Sequence, residues 1–172
     1  MLIRKMTMED IRQVVEIEAQ CFSLPWSQTS FEDSLKRDDT VFLVCEQNKS
    51  DKLLTKLQNN TNPVDKIIIG YIGMYLSFEE GEITNVAVLP SARKQGIGER
   101  LIKEMKKVAL QQKIERIVLE VRVSNQPAIN LYEKNDFRSI GIRKNFYEKP
   151  VEDANIMVCE LSMGNRKINR TR

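Results

Sequence analysis

Val86-Ala87-Val88-Leu89-Pro90-Ser91-Ala92-Arg93-Lys94-Gln95-Gly96-Ile97-Gly98 is the stretch around which the rest of this chain falls into place. A short apolar run ends at a proline, a polar loop follows, and two glycines open a segment of helical periodicity. In order, that is a strand from Val86 to Leu89, a turn from Pro90 to Gln95 and a helix from Gly96 onward. A helix start leaves its first backbone N–H groups without intrahelical acceptors and carries partial positive charge. Glycine admits a ligand close to the backbone where a Cβ would hold it off. Arg93 to Gly98 therefore suits an anion, a pyrophosphate above all. The pattern Gly-x-x-x-x-Gly-Lys-Ser/Thr is absent and a third glycine is missing, which excludes a Walker loop and a dinucleotide fingerprint. A plain turn before a glycine-softened helix start fits the same residues equally well.

Downstream, Ile97, Leu101, Ile102, Met105, Val108 and Ala109 form one apolar stripe, which predicts a helix from Gly96 to Gln112 with one buried face. The next strand is Glu115 to Val121. Strand, helix and strand in this order require the two strands to run parallel. Ser124 or Asn125 caps a helix that tolerates Pro127 in its first turn and ends near Asn135. Two final strands are expected at 138–147 and 154–162, with Tyr147 to Pro150 starting their connection. Upstream, Lys66 to Leu76 and Glu82 to Leu89 form a hairpin across a turn at Glu79-Glu80-Gly81. Gly70 and Gly73 inside its first strand signal a bulge or a close backbone approach.

At the start of the chain, Leu2 to Lys5 reads as a strand. Thr7 and Asp10 make a relaxed capping box for a helix over 8–20, and Ser27 caps a second helix that runs to Leu35. Trp26 stands at the joint between them, as a core plug or as the wall of a substrate groove. Thr40 to Glu46 is a strand. Residues 47–65 turn polar and are long for a strand-to-strand link, so they read as an insertion with one possible helical turn at Leu53, Leu54 and Leu57.

The 172 residues suit one domain over 1–162 followed by a disordered basic tail over 163–172. Hydrophobic content of 41% and charged content of 30% are those of a globular protein, and no apolar run is long enough to span a membrane. The segment Met1 to Met6 is too short for a signal-peptide core, so the expected location is cytoplasmic. With no histidine, Ser-His-Asp and Cys-His chemistry is impossible, and proton transfer falls to Glu, Asp, Tyr, Lys, Cys or water. Cys21, Cys45 and Cys159 sit singly, which predicts reduced thiols and no metal site. The net charge of +3 comes from Arg166, Lys167, Arg170 and Arg172 in the tail, so the body is not expected to bind nucleic acid. On the strand around Glu120, Ile117, Leu119 and Val121 face one way while Val118, Glu120 and Arg122 face the other. Glu120 is then either a candidate general base or a carboxylate on a solvated or Arg-paired face.

Taken together, these segments resemble a known family. Arg93-Lys94-Gln95-Gly96-Ile97-Gly98 is similar to the Arg/Gln-x-x-Gly-x-Gly/Ala motif of the GCN5-related N-acetyltransferases. Val86-Ala87-Val88 and Ser124-Asn125-Gln126-Pro127-Ala128-Ile129-Asn130-Leu131-Tyr132-Glu133 match two further signatures. Leu119-Glu120-Val121-Arg122, Arg143-Lys144-Asn145-Phe146-Tyr147 and Glu152-Asp153-Ala154 resemble, more narrowly, the RimI-type ribosomal-protein alanine N-acetyltransferases. The 47–65 insertion and Phe146, where the subfamily often has a second tyrosine, depart from that pattern.

The resemblance implies an α/β fold: a mostly antiparallel seven-stranded sheet with one splayed parallel pair and about four helices. It implies acetyl-CoA as donor without a metal, held by Val86, Ala87, Val88, Arg93, Lys94, Gln95, Gly96, Ile97, Gly98 and Asn125. It implies the N-terminal alanine of a small-subunit ribosomal protein as acceptor, Glu120 as base (direct or through a water), and Tyr132 as the acid that protonates the leaving thiolate. Tyr132 beside Leu131 and Phe137 also reads as a core aromatic. Trp26, Tyr147, Glu152 and Asp153 are the candidates for peptide recognition, and a monomer is expected. A small-molecule amine acetyltransferase and a non-catalytic acyl-CoA-binding, ribosome-associated module are the competing functions.

Overall fold

The computed structural model describes residues 1–48 and 66–161. The expected insertion beyond Asn48, its possible helical turn at Leu53, Leu54 and Leu57, and the expected tail over 163–172 lie outside the described residues. The described residues form β1 (Leu2–Lys5), α1 (Ile11–Cys21), α2 (Gln28–Leu35), β2 (Thr40–Asn48), β3 (Lys66–Ser77), β4 (Glu80–Val88), α3 (Ile97–Gln111), β5 (Arg116–Arg122), α4 (Gln126–Glu133), β6 (Arg138–Glu148) and β7 (Val151–Glu160). The strands make one seven-stranded sheet in the order β1-β2-β3-β4-β5-β7-β6, antiparallel except for the β4/β5 pair.

Apolar side chains cover both faces of the sheet. On one face, Ile97, Leu101, Ile102, Met105 and Ala109 of α3 and Ile129 and Tyr132 of α4 pack against Ile83, Ile117, Leu119 and Val121. On the other, Ile11, Val14 and Ile17 of α1 and Phe31 of α2 pack against Phe42, Val44, Ile68 and Tyr71. Each fully buried aliphatic side chain contributes roughly 1.5–3 kcal/mol, so the α3 stripe alone accounts for the placement of that helix. No helix among the described residues is long and apolar enough to cross a membrane.

The helix expected over 8–20 opens as a 3-10 turn at Met8–Asp10 before α1, and three strand connections move. Gln47 and Asn48 pair with Ile67 and Lys66, so they extend β2 instead of opening the insertion. Ser77 pairs with Glu80, which narrows the hairpin turn to Phe78 and Glu79 and carries Glu80 and Gly81 into β4; Phe78 takes φ +53° to make it. Tyr147 and Glu148 pair with Glu152 and Val151, so the β6–β7 connection is Lys149 and Pro150 alone. In each case cross-strand hydrogen bonding carries the strand past residues whose composition is that of a turn.

The feature that positions a site is a fork. β4 and β5 pair from Glu80↔Arg116 to Ile83↔Leu119 and no further. Beyond that point Val86, Ala87 and Val88 stay with β3, opposite Ile72, Tyr71 and Gly70, while Glu120, Val121 and Arg122 stay with β7. Register shifts at Gly73/Met74, where Met74 faces Ile83 and Gly73 faces Asn85, leaving Thr84 as the extra residue of a bulge. A bulge bends its strand, and this one bends β4 away from β5.

Candidate active site

The donor side of the fork is built from backbone. After Val88 the chain makes a short 3-10 turn at Pro90–Ala92 and then enters α3 through Gly96, its N-cap, at φ +75°. That left-handed conformation is what the glycine is for, because a Cβ there would meet nothing within 4 Å. Lys94 also takes a left-handed φ of +62°, the kind of backbone turn from which anion-binding nests of N–H groups are made. Gly98 answers a different need: a Cβ on it would stand 2.9 Å from Cδ2 of Leu131, so its absence lets α4 close on α3. In the first turn of α3, Lys103 and Lys134 bond the Glu99 carboxylate and hold its pKa down to about 2. Lys94, Gln95 and Arg93 are exposed. The Arg93 guanidinium lies back on the strand, Nε to the Val88 carbonyl at 3.2 Å and Nη2 to Cys21 Sγ at 3.5 Å. Asn125 caps α4, its Oδ1 accepting from Ala128 N at 3.3 Å. These parts fit a diphosphate and its acyl arm: a helix start with free N–H groups, open space over Gly96, and a β4 edge that has lost its β5 partner.

At the fork itself, the buried-exposed alternation of β5 puts Glu120 on the α1/α2 face, as strand periodicity predicts. Its side chain is 17% exposed and pairs with Arg143 Nη1 at 3.3 Å. The Tyr147 hydroxyl donates to the Glu120 carbonyl at 3.2 Å. Glu82, whose register partner is Val118, joins the same face. Burial pushes the Glu82 carboxyl up, the nearby charges of Glu120 and Glu80 add to it, and Arg143 opposes them. Tyr132 comes from the other face, buried in the α3/α4 core with its ring 5.7 Å from that of Phe137. Burial pushes its phenol up, with Tyr147 adding, so it keeps its proton at neutral pH. The carboxylate and the phenol thus lie on opposite faces of the sheet, on elements that flank the point where β4 and β5 part.

Side chains build the side where the candidates for peptide recognition lie. Arg122 stacks on the Tyr147 ring at 4.1 Å, bonds the carbonyls of Lys149 (2.9 Å) and Pro150 (3.1 Å), and pairs with Glu152 at 2.9 Å. Ser23, in the α1–α2 loop, donates to the Lys149 carbonyl, which ties that loop to the β6–β7 turn. Glu152 also accepts from Ser124 N at 2.8 Å, and Asp153 is held by Lys144 (2.6 Å) and Asn145 N (2.9 Å). Both carboxylates are thus engaged within the chain. Tyr147 is pushed up to about 12, by burial first and against the opposing Arg122 charge. Trp26 is half-buried, with its ring against Phe31 (5.3 Å), Phe42 and Tyr75 (each 6.2 Å).

Sequence reasoning passed over Glu18, Asn85 and Glu82. For Glu18 a signal existed: it continues the Ile11, Val14, Ile17 stripe of α1, and a carboxylate on an apolar face is anomalous. Asn85 gave none, because the bulge that sets its facing depends on pairing with β3, and Glu82 meets Glu120 only through the β4/β5 register.

The acetyltransferase (GNAT) family model matches residues 11–137. A Bacillus subtilis relative, named provisionally as a [ribosomal protein bS18]-alanine N-acetyltransferase, is 36% identical over 90% of this chain and 92% of its own. The [ribosomal protein bS18]-alanine N-acetyltransferase of Haemophilus influenzae is 31% identical over 88% and 93%. Among solved structures, the ribosomal-protein-S18-alanine N-acetyltransferase of Escherichia coli shares the fold with a TM-score of 0.77 at 24% identity, over 97% of each chain.

Proposed function

This chain belongs to the acetyltransferase (GNAT) family, and we propose from that premise that it acetylates the N-terminal alanine of a small-subunit ribosomal protein. The observation that carries the reading is the fork. Donor-binding backbone and a carboxylate meet where β4 leaves β5, on a chain whose relatives bear that activity in their names. A ribosomal acceptor makes the cytoplasm its place of action.

The N–H groups between Arg93 and Gly98 hold the diphosphate of acetyl-CoA, with the charges of Arg93 and Lys94 beside it. The Val86–Val88 edge and Asn125 hold the pantetheine arm. A main-chain N–H near Val88 polarises the thioester carbonyl, so charge developing on oxygen meets a fixed donor. Glu120 takes the proton of the attacking amine, directly or through a water. An α-amino group has a pKa near 8, against about 10.4 for a lysine side chain, so a weak base suffices. The amine nitrogen bonds to the acetyl carbon, the C–S bond breaks, and Tyr132 gives its proton to the departing thiolate. Trp26, Tyr147, Glu152 and Asp153 frame the groove that receives the peptide.

The test is direct. The protein is incubated with acetyl-CoA and either a peptide beginning Ala-Arg-Tyr or a polyamine, and the products are read by mass spectrometry. Acetylation at the alanine nitrogen is expected; acetylation of the polyamine alone overturns the ribosomal acceptor, and no transfer to any amine overturns the enzyme.

A further inference from the structure

Glu18 has no exposed surface and no cation among its bonding partners. Its carboxylate accepts from three donors that belong to three separate elements. Oε2 takes the Tyr71 hydroxyl of β3. Oε1 takes two at once: the main-chain N–H of Trp26, at the entry to α2, and Nδ2 of Asn85 on β4, each at 3.1 Å. A carboxylate without a counter-ion, brought into the core, costs several kcal/mol before its hydrogen bonds offset part of that. Three apolar residues would fill the same space without that cost.

What the arrangement achieves is seen at Asn85. It is the first residue after the bulge, past the last β4/β5 pair, and shares the α1/α2 face with Glu120. Because Nδ2 must donate to Glu18, the amide cannot flip, and its oxygen is fixed on the other side. That oxygen, Asn85 Oδ1, is buried and has no partner among the described residues. An orphaned acceptor of this kind calls for a donor from beyond the described residues, such as a water or a ligand. On the acceptor face of the fork, the donor chemistry at hand is an N–H of the incoming amine.

We infer that Glu18 is a positioning residue of the transfer site: it locks the Asn85 amide so that Oδ1 receives an N–H of the attacking amine and aims the nitrogen lone pair at the acetyl carbon. Glu18 Oε1, by holding both Trp26 N and Asn85 Nδ2, also ties the α1–α2 loop to β4. This rests on the amine-acceptor reading above and adds to it the group that orients the amine.

The test is a double-variant cycle in kcat with both KM values and the melting temperature recorded. Asn85→Ala is expected to lower kcat about tenfold while the KM for acetyl-CoA stays within about twofold. Glu18→Ala is expected to lower kcat to the same degree, and the pair together no more than either alone, since both remove one chain of contacts. Glu18→Gln keeps an oxygen for Trp26 and Asn85 and should restore most of the turnover lost in Glu18→Ala. Tyr71→Phe removes a donor to Glu18 but leaves the Oε1 bridge, so it should lower the melting temperature and leave kcat within about twofold. If Glu18→Ala does not fold, the contrast between Asn85→Ala and Tyr71→Phe decides. Additive losses in kcat, or Asn85→Ala turning over like the unaltered chain, overturn the inference while the acetyltransferase reading stands. Should the unaltered chain acetylate only a polyamine, the cycle is read with that amine, and the ribosomal acceptor alone falls. No transfer to any amine sinks both.

Discussion

The two sides of the fork are made by different means. The donor side, from Val86 to Gly98, uses main-chain N–H groups, two left-handed backbone positions and a helix start, all within one short stretch. The proposed acceptor side draws Trp26, Arg122, Tyr147 and Glu152 from four segments; an ion pair, a stacked guanidinium and the Lys149 carbonyl order the last three, while Trp26 packs on Phe31. Backbone recognition of a diphosphate needs only that the chain take one local shape, and it tolerates many side chains. A peptide groove needs particular side chains at particular distances. On the proposed reading, donor use should be the more robust half of this protein and acceptor choice the half more easily altered by substitution.

The comparison breaks most visibly at its centre. Glu120→Gln should lower kcat by at least about tenfold, within the usual range for a general base, with acetyl-CoA affinity near normal by calorimetry. Turnover close to the unaltered level would remove the carboxylate from the chemistry. Tyr132→Phe should cost about tenfold in kcat, since it removes the proposed proton donor to the departing thiolate. On the acceptor side, Arg122→Ala should raise the peptide KM about fivefold and leave the acetyl-CoA KM unchanged, because it frees the β6–β7 turn without touching α3. A larger effect on acetyl-CoA would mean that the two sides are not separable.

The pH profile sharpens the same contrast. Glu152 is held below the usual carboxylate range by Ser124 and then Arg122, and Asp153 by Lys144 and then Asn145. A lowered carboxyl keeps its contacts above the ordinary value and loses them only as pH falls through the lowered one. Between about pH 6 and pH 9 these contacts stay constant, and kcat/KM for the peptide should rise with a midpoint near pH 8 and level off about a pH unit above it, as the amine loses its proton. The smallest effect belongs to the donor loop: Gly96→Ala, forced to φ +75°, should cost about 1 kcal/mol in stability with a modest rise in acetyl-CoA KM.

Much of the fold was legible because it follows from local rules. The α3 stripe, the β5 alternation and the parallel β4/β5 pair stand as periodicity and connection order require. So does the N-cap at Asn125. The boundaries that moved, at Gln47, Glu80 and Tyr147, are those where a neighbouring strand supplies hydrogen bonds that composition does not record. The facing of Glu120 was legible from the strand period, and its expected role as base came from the family resemblance; the end of β4/β5 pairing beyond Ile83 was not legible, since that needed the bulge at Thr84.

By itself the sequence determined the anion-ready helix start, the strand carrying Glu120 and the family they signal, because main-chain geometry and side-chain periodicity are properties of neighbours along the chain. Tertiary structure alone decided that Glu18 would reach Asn85 across 67 residues, and that Arg122 would reach Glu152 across 30. Such pairings form only when packing brings distant segments within hydrogen-bond range, and no local pattern encodes which oxygen will meet which N–H.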